Sequence, residues 1–91
     1  MIYERKPAFD RLWDSLTPIR KEKAREALEK LVHFFEGGPR SEGLGLKKLK
    51  SSFWEIRTDL KDRILFSLRK NVVAFVLIGN HDEIHRFLKR A

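Results

Sequence analysis

Glu55 and Arg57 stand two residues apart in the run Phe53-Trp54-Glu55-Ile56-Arg57, and Arg63 follows after a short polar stretch. On a strand, residues two apart emerge on the same face. A tight turn before Arg63 therefore brings one carboxylate beside two guanidiniums. Guanidiniums grip a phosphate through paired N–H donors, and a carboxylate next to them can act as a base. The same trio also reads as a cross-strand ion pair on a solvated sheet face, worth about 0.2–1 kcal/mol. A second group follows the most apolar run of the chain: His81, with Asp82 beside it and His85 four residues on. Imidazole is the side chain whose charge changes near neutral pH, which suits an acid or a base. At a helix start His81 reads equally as a polar surface residue. A His-x3-His pair needs a third protein ligand to hold a metal, and the third histidine, His33, lies in a separate helical stretch. Neither a metal site nor a cofactor is expected. Lys47, Lys48 and Lys50 form the third group, an anion patch or simply a solvated cluster. No glycine-rich phosphate loop, nucleophile elbow or dinucleotide fingerprint is present.

Ninety-one residues, 42% of them apolar, make one modest core, and a single domain over residues 1–91 is expected. No apolar run approaches the ~18–20 residues that span a bilayer. The opening MIYERKPAFD lacks an apolar signal core, so no export signal and a cytoplasmic location are expected. The absence of cysteine removes disulfides, thiolate catalysis and cysteine zinc sites. The formal net charge of +7 points to an anionic partner. That charge is uneven: residues 1–39 hold eight Lys/Arg against seven Asp/Glu, and residues 40–91 hold twelve against six. The anion is expected to meet the second half.

These groups need elements to hold them. Met1 to Arg5 is a weak first strand. Pro7 opens a short helix striped by Phe9, Leu12, Trp13 and Leu16. Thr17-Pro18 caps a second helix, whose apolar face is Ala24, Ala27, Leu28, Leu31, Phe34 and Phe35, and Gly37-Gly38-Pro39 stops it. After a loop from Arg40 to Gly45 the lysine cluster runs into the second strand. Phe53 to Thr58 alternates, with Trp54 and Ile56 inward. Arg63 to Arg69 follows with Ile64, Phe66 and Leu68 inward, and Val72 to Ile78 reads as a strand buried on both faces. His81 to Arg90 closes as a helix with Ile84, Phe87 and Leu88 inward. The expected class is α+β: a helical hairpin packed on a small antiparallel sheet, with a short C-terminal helix.

Leu46-Lys47-Lys48-Leu49-Lys50 through Phe53-Trp54-Glu55-Ile56-Arg57, then Asp62-Arg63-Ile64-Leu65-Phe66, then the apolar strand ending in Gly79-Asn80-His81, resembles the RelE/ParE superfamily of toxins from toxin–antitoxin modules. The resemblance covers nearly the whole chain and rests on the order and spacing of short motifs. It implies a microbial-RNase-like fold and, in the RelE branch, a metal-independent endoribonuclease that cleaves mRNA in the ribosomal A site. It further implies an acidic cognate antitoxin, a monomer when alone and a hetero-oligomer with that antitoxin. Position by position, Arg57 and Arg63 look like the residues that hold the scissile phosphate, Glu55 like the base, and His81 like the acid, or like the base if Glu55 is instead an orienting group. Lys47, Lys48, Lys50, Arg69, Lys70, Arg86, Lys89 and Arg90 would contact RNA, with Arg20, Lys21 and Lys23 as a further cationic edge. Phe87 stands where some members carry a tyrosine, and Glu55 where some carry a lysine, so this chain looks closer to members built on Glu, Arg and His. The ParE branch, which blocks DNA gyrase without RNase chemistry, and a non-toxic binding relative are the alternatives. Arg57, Arg63 and His81 together favour the nuclease.

Overall fold

A computed structural model describes residues 1–91. Its elements are β1 (Ile2–Arg5), α1 (Pro7–Asp14), α2 (Pro18–Phe35), β2 (Lys47–Lys50), β3 (Phe53–Arg57), β4 (Arg63–Arg69), β5 (Val72–Gly79) and α3 (His81–Arg90). Pro7 and Pro18 both begin helices, where their missing N–H costs no hydrogen bond. The Thr17 hydroxyl accepts from the Arg20 amide at 3.3 Å, the expected cap of α2. Gly37, at φ +97°, turns the chain out of that helix.

The five strands form one sheet in the order β1-β5-β4-β3-β2. It departs from expectation in two respects. The sheet is mixed rather than antiparallel, because β1 runs parallel to β5, with Ile2 beside Val72 and Arg5 beside Phe75. The helical hairpin carries the chain away between them, as a parallel pairing requires. The lysine cluster, in turn, is a strand in its own right. β2 pairs antiparallel with β3 at the sheet edge, and Ser51, at φ +55°, helps turn the chain between them. A lysine-rich edge strand has no apolar alternation to announce it, and its charge guards the open edge against a second chain.

The sheet is covered on both faces. Phe9, Ala24, Ala27 and Leu31 from the helical hairpin pack with Ile56, Ile64, Phe66, Val73, Phe75 and Ile78 on one side. On the other, Ile84 and Leu88 of α3 pack on Leu65, with Phe53, Val76, Leu77 and Phe87 around them. β5 serves both layers through a bulge: Leu65 pairs with Leu77 and Phe66 with Phe75, leaving Val76 as the extra residue. Val73 and Phe75 before the bulge and Ile78 after it thus face the hairpin, while Val76 and Leu77 face α3. No helix is long and apolar enough to cross a membrane.

Tyr3, the single tyrosine, stacks on Phe75 with ring centroids 6.4 Å apart, and its buried hydroxyl has no hydrogen-bond partner. Burial, and after it the charge of Glu36, raises its ionisation above the ordinary phenol value of 10.0. The folded state therefore holds the phenol proton more tightly than the unfolded chain. The stability this adds is complete below about pH 10 and is lost as pH rises through the folded value. Tyr3→Phe is expected to remove that share of the alkaline destabilisation, read as a shallower loss of urea midpoint between pH 9.5 and 11. An unchanged slope would refute the assignment.

Candidate functional site

The strand register assembles the charged residues. Arg57 lies directly opposite Arg63 and Glu55 opposite Leu65, so all four side chains share a sheet face. On the other flank Lys47 of β2 lies opposite Glu55, and beyond Arg63 the β5 partner is Gly79. Leu65 is packed beneath α3, which places this row on the α3 face of the sheet. Its surroundings differ from a solvated sheet face. Glu55 is 7% exposed, and its Oε2 lies 3.6 Å from Arg63 Nη1. Glu55 Oε1 and Arg63 Nε are buried without any hydrogen-bond partner. Arg57 is exposed and makes no ion pair. Two like charges opposite one another repel, and the one carboxylate nearby is paired to Arg63.

Three local devices hold this arrangement. At the β3–β4 turn, Thr58 N donates to Asp62 O at 3.0 Å, and the Arg20 guanidinium grips the Asp62 carboxylate at 2.7 and 2.9 Å. That hydrogen-bonded fork raises the Arg20 guanidinium above its already high range. Beside Arg57, Gly45 adopts φ +65°, and a side chain there would approach Arg57 Cβ to 3.0 Å. The adjoining Leu44 carbonyl accepts from Arg57 N at 2.7 Å. Finally, Asn80 and Glu83 form a reciprocal capping box at 2.9 and 3.0 Å that fixes where α3 starts. At the far end of α3, Lys50 Nζ donates to the Leu88 carbonyl at 3.1 Å.

Between β2 and α3 runs an open groove of about 380 Å³, lined by Lys47, Lys48, Leu49, Lys50, His85, Leu88 and Lys89. His81, His85 and Lys89 follow at four-residue spacing and so occupy one stripe of α3. The His81 and His85 rings lie 4.1 Å apart between centroids. His81 thus continues the groove-lining stripe toward the end of β5, where Gly79 adjoins Arg63.

The structure therefore brings Glu55, Arg57, Arg63, Lys47, Lys50, Lys89 and the His81 stripe to one face, while Lys48 borders the groove but lies opposite Trp54 of the hairpin-side core. Arg69 and Lys70 are apart from it, at the opposite end of β4, roughly 20 Å from Arg63 at 3.3 Å per residue. Arg69 Nε donates to Ser52 Oγ at 3.0 Å, and Lys70 is exposed in the β4–β5 turn. Arg86 and Arg90 are exposed on α3. The cationic edge expected from Arg20 and Lys23 is corrected: Arg20 is bound to Asp62, and Lys23 pairs with Asp59 at 3.7 Å. His85 is the groove residue that the sequence reading passed over. Its spacing to His81 was visible but suggested only a metal pair, and no group of three or more metal-ligating side chains comes together in the structure.

The Glu55–Arg63 pair has a testable energetic signature. Glu55→Gln leaves a half-enclosed guanidinium without its counter-charge and is expected to lower the unfolding free energy by up to about 3 kcal/mol. The apolar double variant Glu55→Leu/Arg63→Met should regain or exceed the original stability in urea unfolding. A double variant as weak as the single one would mean that the pair is there to stabilise the fold.

No protein-family model matches the sequence, and no curated protein matches it in sequence. Solved structures match in fold. RelE in the RelB–RelE antitoxin–toxin complex of Methanococcus jannaschii superposes with TM-score 0.70 at 13% identity, covering 92% of this chain and 96% of that one. YafQ in the DinJ–YafQ complex of E. coli gives 0.69 at 12%, over 90% and 94%. YoeB, a dimer from Staphylococcus aureus, gives 0.66 at 15%, over 89% and 97%. From Ile2 to Arg90, two helices, a five-stranded mixed sheet and a closing helix give this chain the α+β fold of the RelE/ParE-superfamily toxins.

Proposed function

We propose that this chain is a ribosome-dependent mRNA endonuclease, a toxin that arrests translation in the cytoplasm until a cognate acidic antitoxin covers its basic face. The observation that carries this reading is the Arg57–Arg63 juxtaposition at the head of a lysine-lined groove. Two guanidiniums side by side, one exposed and one held by a buried carboxylate, form a fork for a single phosphate. Lys47 and Lys50 of β2, with Lys89, continue the positive charge along the path that an RNA backbone would follow, and Lys48 adds charge at the strand edge.

In the proposed reaction the 2′-hydroxyl attacks the adjacent phosphorus and the bond to the 5′-oxygen breaks. The products are a 2′,3′-cyclic phosphate and a 5′-hydroxyl. Arg57 and Arg63 stabilise the charge that grows on the phosphorane oxygens. His81, on the groove-facing stripe of α3, gives its proton to the leaving oxygen. Glu55 takes the proton of the attacking 2′-hydroxyl through Oε2, the oxygen not sealed from solvent, while its charge beside Arg63 holds that guanidinium in place. Lys47, Lys48, Lys50 and Lys89 hold flanking phosphates, with Arg86 and Arg90 adding charge. Arg69 and Lys70 make a separate, distal contact with ribosomal RNA. The antitoxin lays an acidic amphipathic segment over this face and orders as it binds, as a hetero-oligomer with a toxin that is otherwise monomeric.

Expression in bacteria separates this reading from its rivals. Pulse labelling is expected to show lost methionine incorporation with DNA synthesis intact. DNA breaks with an SOS response would transfer the reading to gyrase inhibition, and normal growth with soluble protein would end both. On purified programmed ribosomes, Arg63→Ala should reduce cleavage by about 10²-fold or more, as for other groups that stabilise developing charge. Lys70→Ala should change it by less than about fivefold, since one screened surface contact is worth about 1 kcal/mol or less. Equal losses would mean that the basic face acts only collectively.

A further inference from the structure

Arg57 and Arg63 are the last facing pair of the β3–β4 ladder, where β3 stops and β4 begins. Like charges directly opposite one another repel, and at a ladder's end that repulsion acts to open the hairpin. The residues that join the two strands therefore have to hold the end closed. They do so around Asp62, whose carbonyl accepts from Thr58 N at 3.0 Å and from Asp59 N at 3.4 Å. Thr58 follows Arg57 and Asp62 precedes Arg63, so this closure sets how far apart the two arginines stand. Asp62 is in turn held from α2. It is 8% exposed, and both its carboxylate oxygens accept from Arg20, one from Nε at 2.7 Å and one from Nη2 at 2.9 Å. Arg20 is itself anchored at its backbone, because its amide is the donor to the Thr17 cap. Lys23, three residues further along α2, reaches Asp59 at 3.7 Å, a looser and more exposed contact.

We infer that Arg20 is a positioning residue for the cleavage: through its fork to the buried Asp62 it sets the Arg57–Arg63 spacing that lets two guanidiniums meet one phosphate. The inference rests on the endonuclease reading and deepens it. Arg20 stands on α2, on the hairpin side of the sheet, while the two arginines stand on the α3 side. Asp62 is its only side-chain partner, so Arg20 acts on the site through the turn and not by touching the substrate. A guanidinium fork fixes orientation as well as distance, whereas an ammonium keeps the charge but attaches at one point. The spacing needs such a hold in both states of the site. Without an anion the two arginines push each other apart, and with a phosphate between them they are drawn together. A turn free to pivot would let them follow, and a misplacement of about 1 Å can cost on the order of 10²-fold in rate.

The test is single-turnover cleavage on purified programmed ribosomes at saturating protein, with ribosome binding and urea unfolding measured on the same preparations. Arg20→Lys keeps the charge and removes the fork. It is expected to stay folded at the assay temperature and to bind ribosomes as the unsubstituted protein does, yet to cleave about 10–10²-fold more slowly. A second signature is non-additivity. In Arg63→Ala no facing pair is left to align, so adding Arg20→Lys there should cost less than about a further twofold. A fork that only stabilises the fold predicts undiminished cleavage by folded Arg20→Lys, and a general distortion predicts the same loss in both backgrounds. Either result overturns the inference while leaving the nuclease standing. Asp62→Asn breaks the fork from the turn and should reproduce both signatures, which carries the test should Arg20→Lys not fold. Failure of both variants to fold would make the fork a folding element and overturn the inference. Failure of the unsubstituted protein to cleave would instead overturn the endonuclease reading and this inference with it.

Discussion

The bulge at Val76 is the constraint on which the rest of the molecule depends. A strand with strict alternation presents residues 73, 75 and 77 to one face and 76 and 78 to the other. One extra residue lets Val73, Phe75 and Ile78 serve the hairpin side, while Val76 and Leu77 together serve the α3 side. The second face then has enough apolar surface to seat a ten-residue helix that could not stand alone in water. Without that seat α3 has no fixed place, and the groove between it and β2 has only one wall.

Seating α3 has an electrostatic consequence. The helix covers Leu65 in the middle of β4 but begins beyond Gly79, so the charged row falls at the rim of the second core, with Glu55 and Arg63 largely enclosed and Arg57 exposed. Burying an ion pair seldom stabilises a fold, since each charge gives up its hydration. Here the pair is also imperfectly satisfied, with Oε1 and Nε left unpartnered. The Arg57–Arg63 opposition adds repulsion in the same place. By contrast, the Arg20–Asp62 fork, only 2.7 and 2.9 Å long, is a fully formed pair whose work is to hold the β3–β4 turn against α2.

A fold shared with RelE, YafQ and YoeB at 12–15% identity is a statement about layers and periodicity. Many apolar sequences fill the same space if their pattern and volume suit it. The chemistry sits instead on a few side chains that the fold holds out, and must be argued from them.

What the sequence by itself determined was mostly local. The helix starts at Pro7 and Pro18, the Thr17 cap, the two-sided burial of Val72 to Ile78 and the span of His81 to Arg90 follow from near-neighbour steric and hydrogen-bonding preferences, and they stand in the structure. The grouping of Glu55, Arg57 and Arg63 was legible too, because a two-residue period and one tight turn suffice to bring them together. Tertiary structure alone decided the rest. The parallel pairing of β1 with β5 joins residues some seventy positions apart, which no local pattern encodes. A lysine strand carries no hydrophobic period, so β2 emerged only through its partner β3. Burial of Glu55 depends on where α3 lands, and Arg20 and Lys23, read with Lys21 as a cationic edge, find carboxylates across the fold at Asp62 and Asp59. His85 makes the same point: its spacing from His81 was plain in the sequence, but that this stripe of the helix borders the lysines of β2 follows only from the way the helix crosses the sheet.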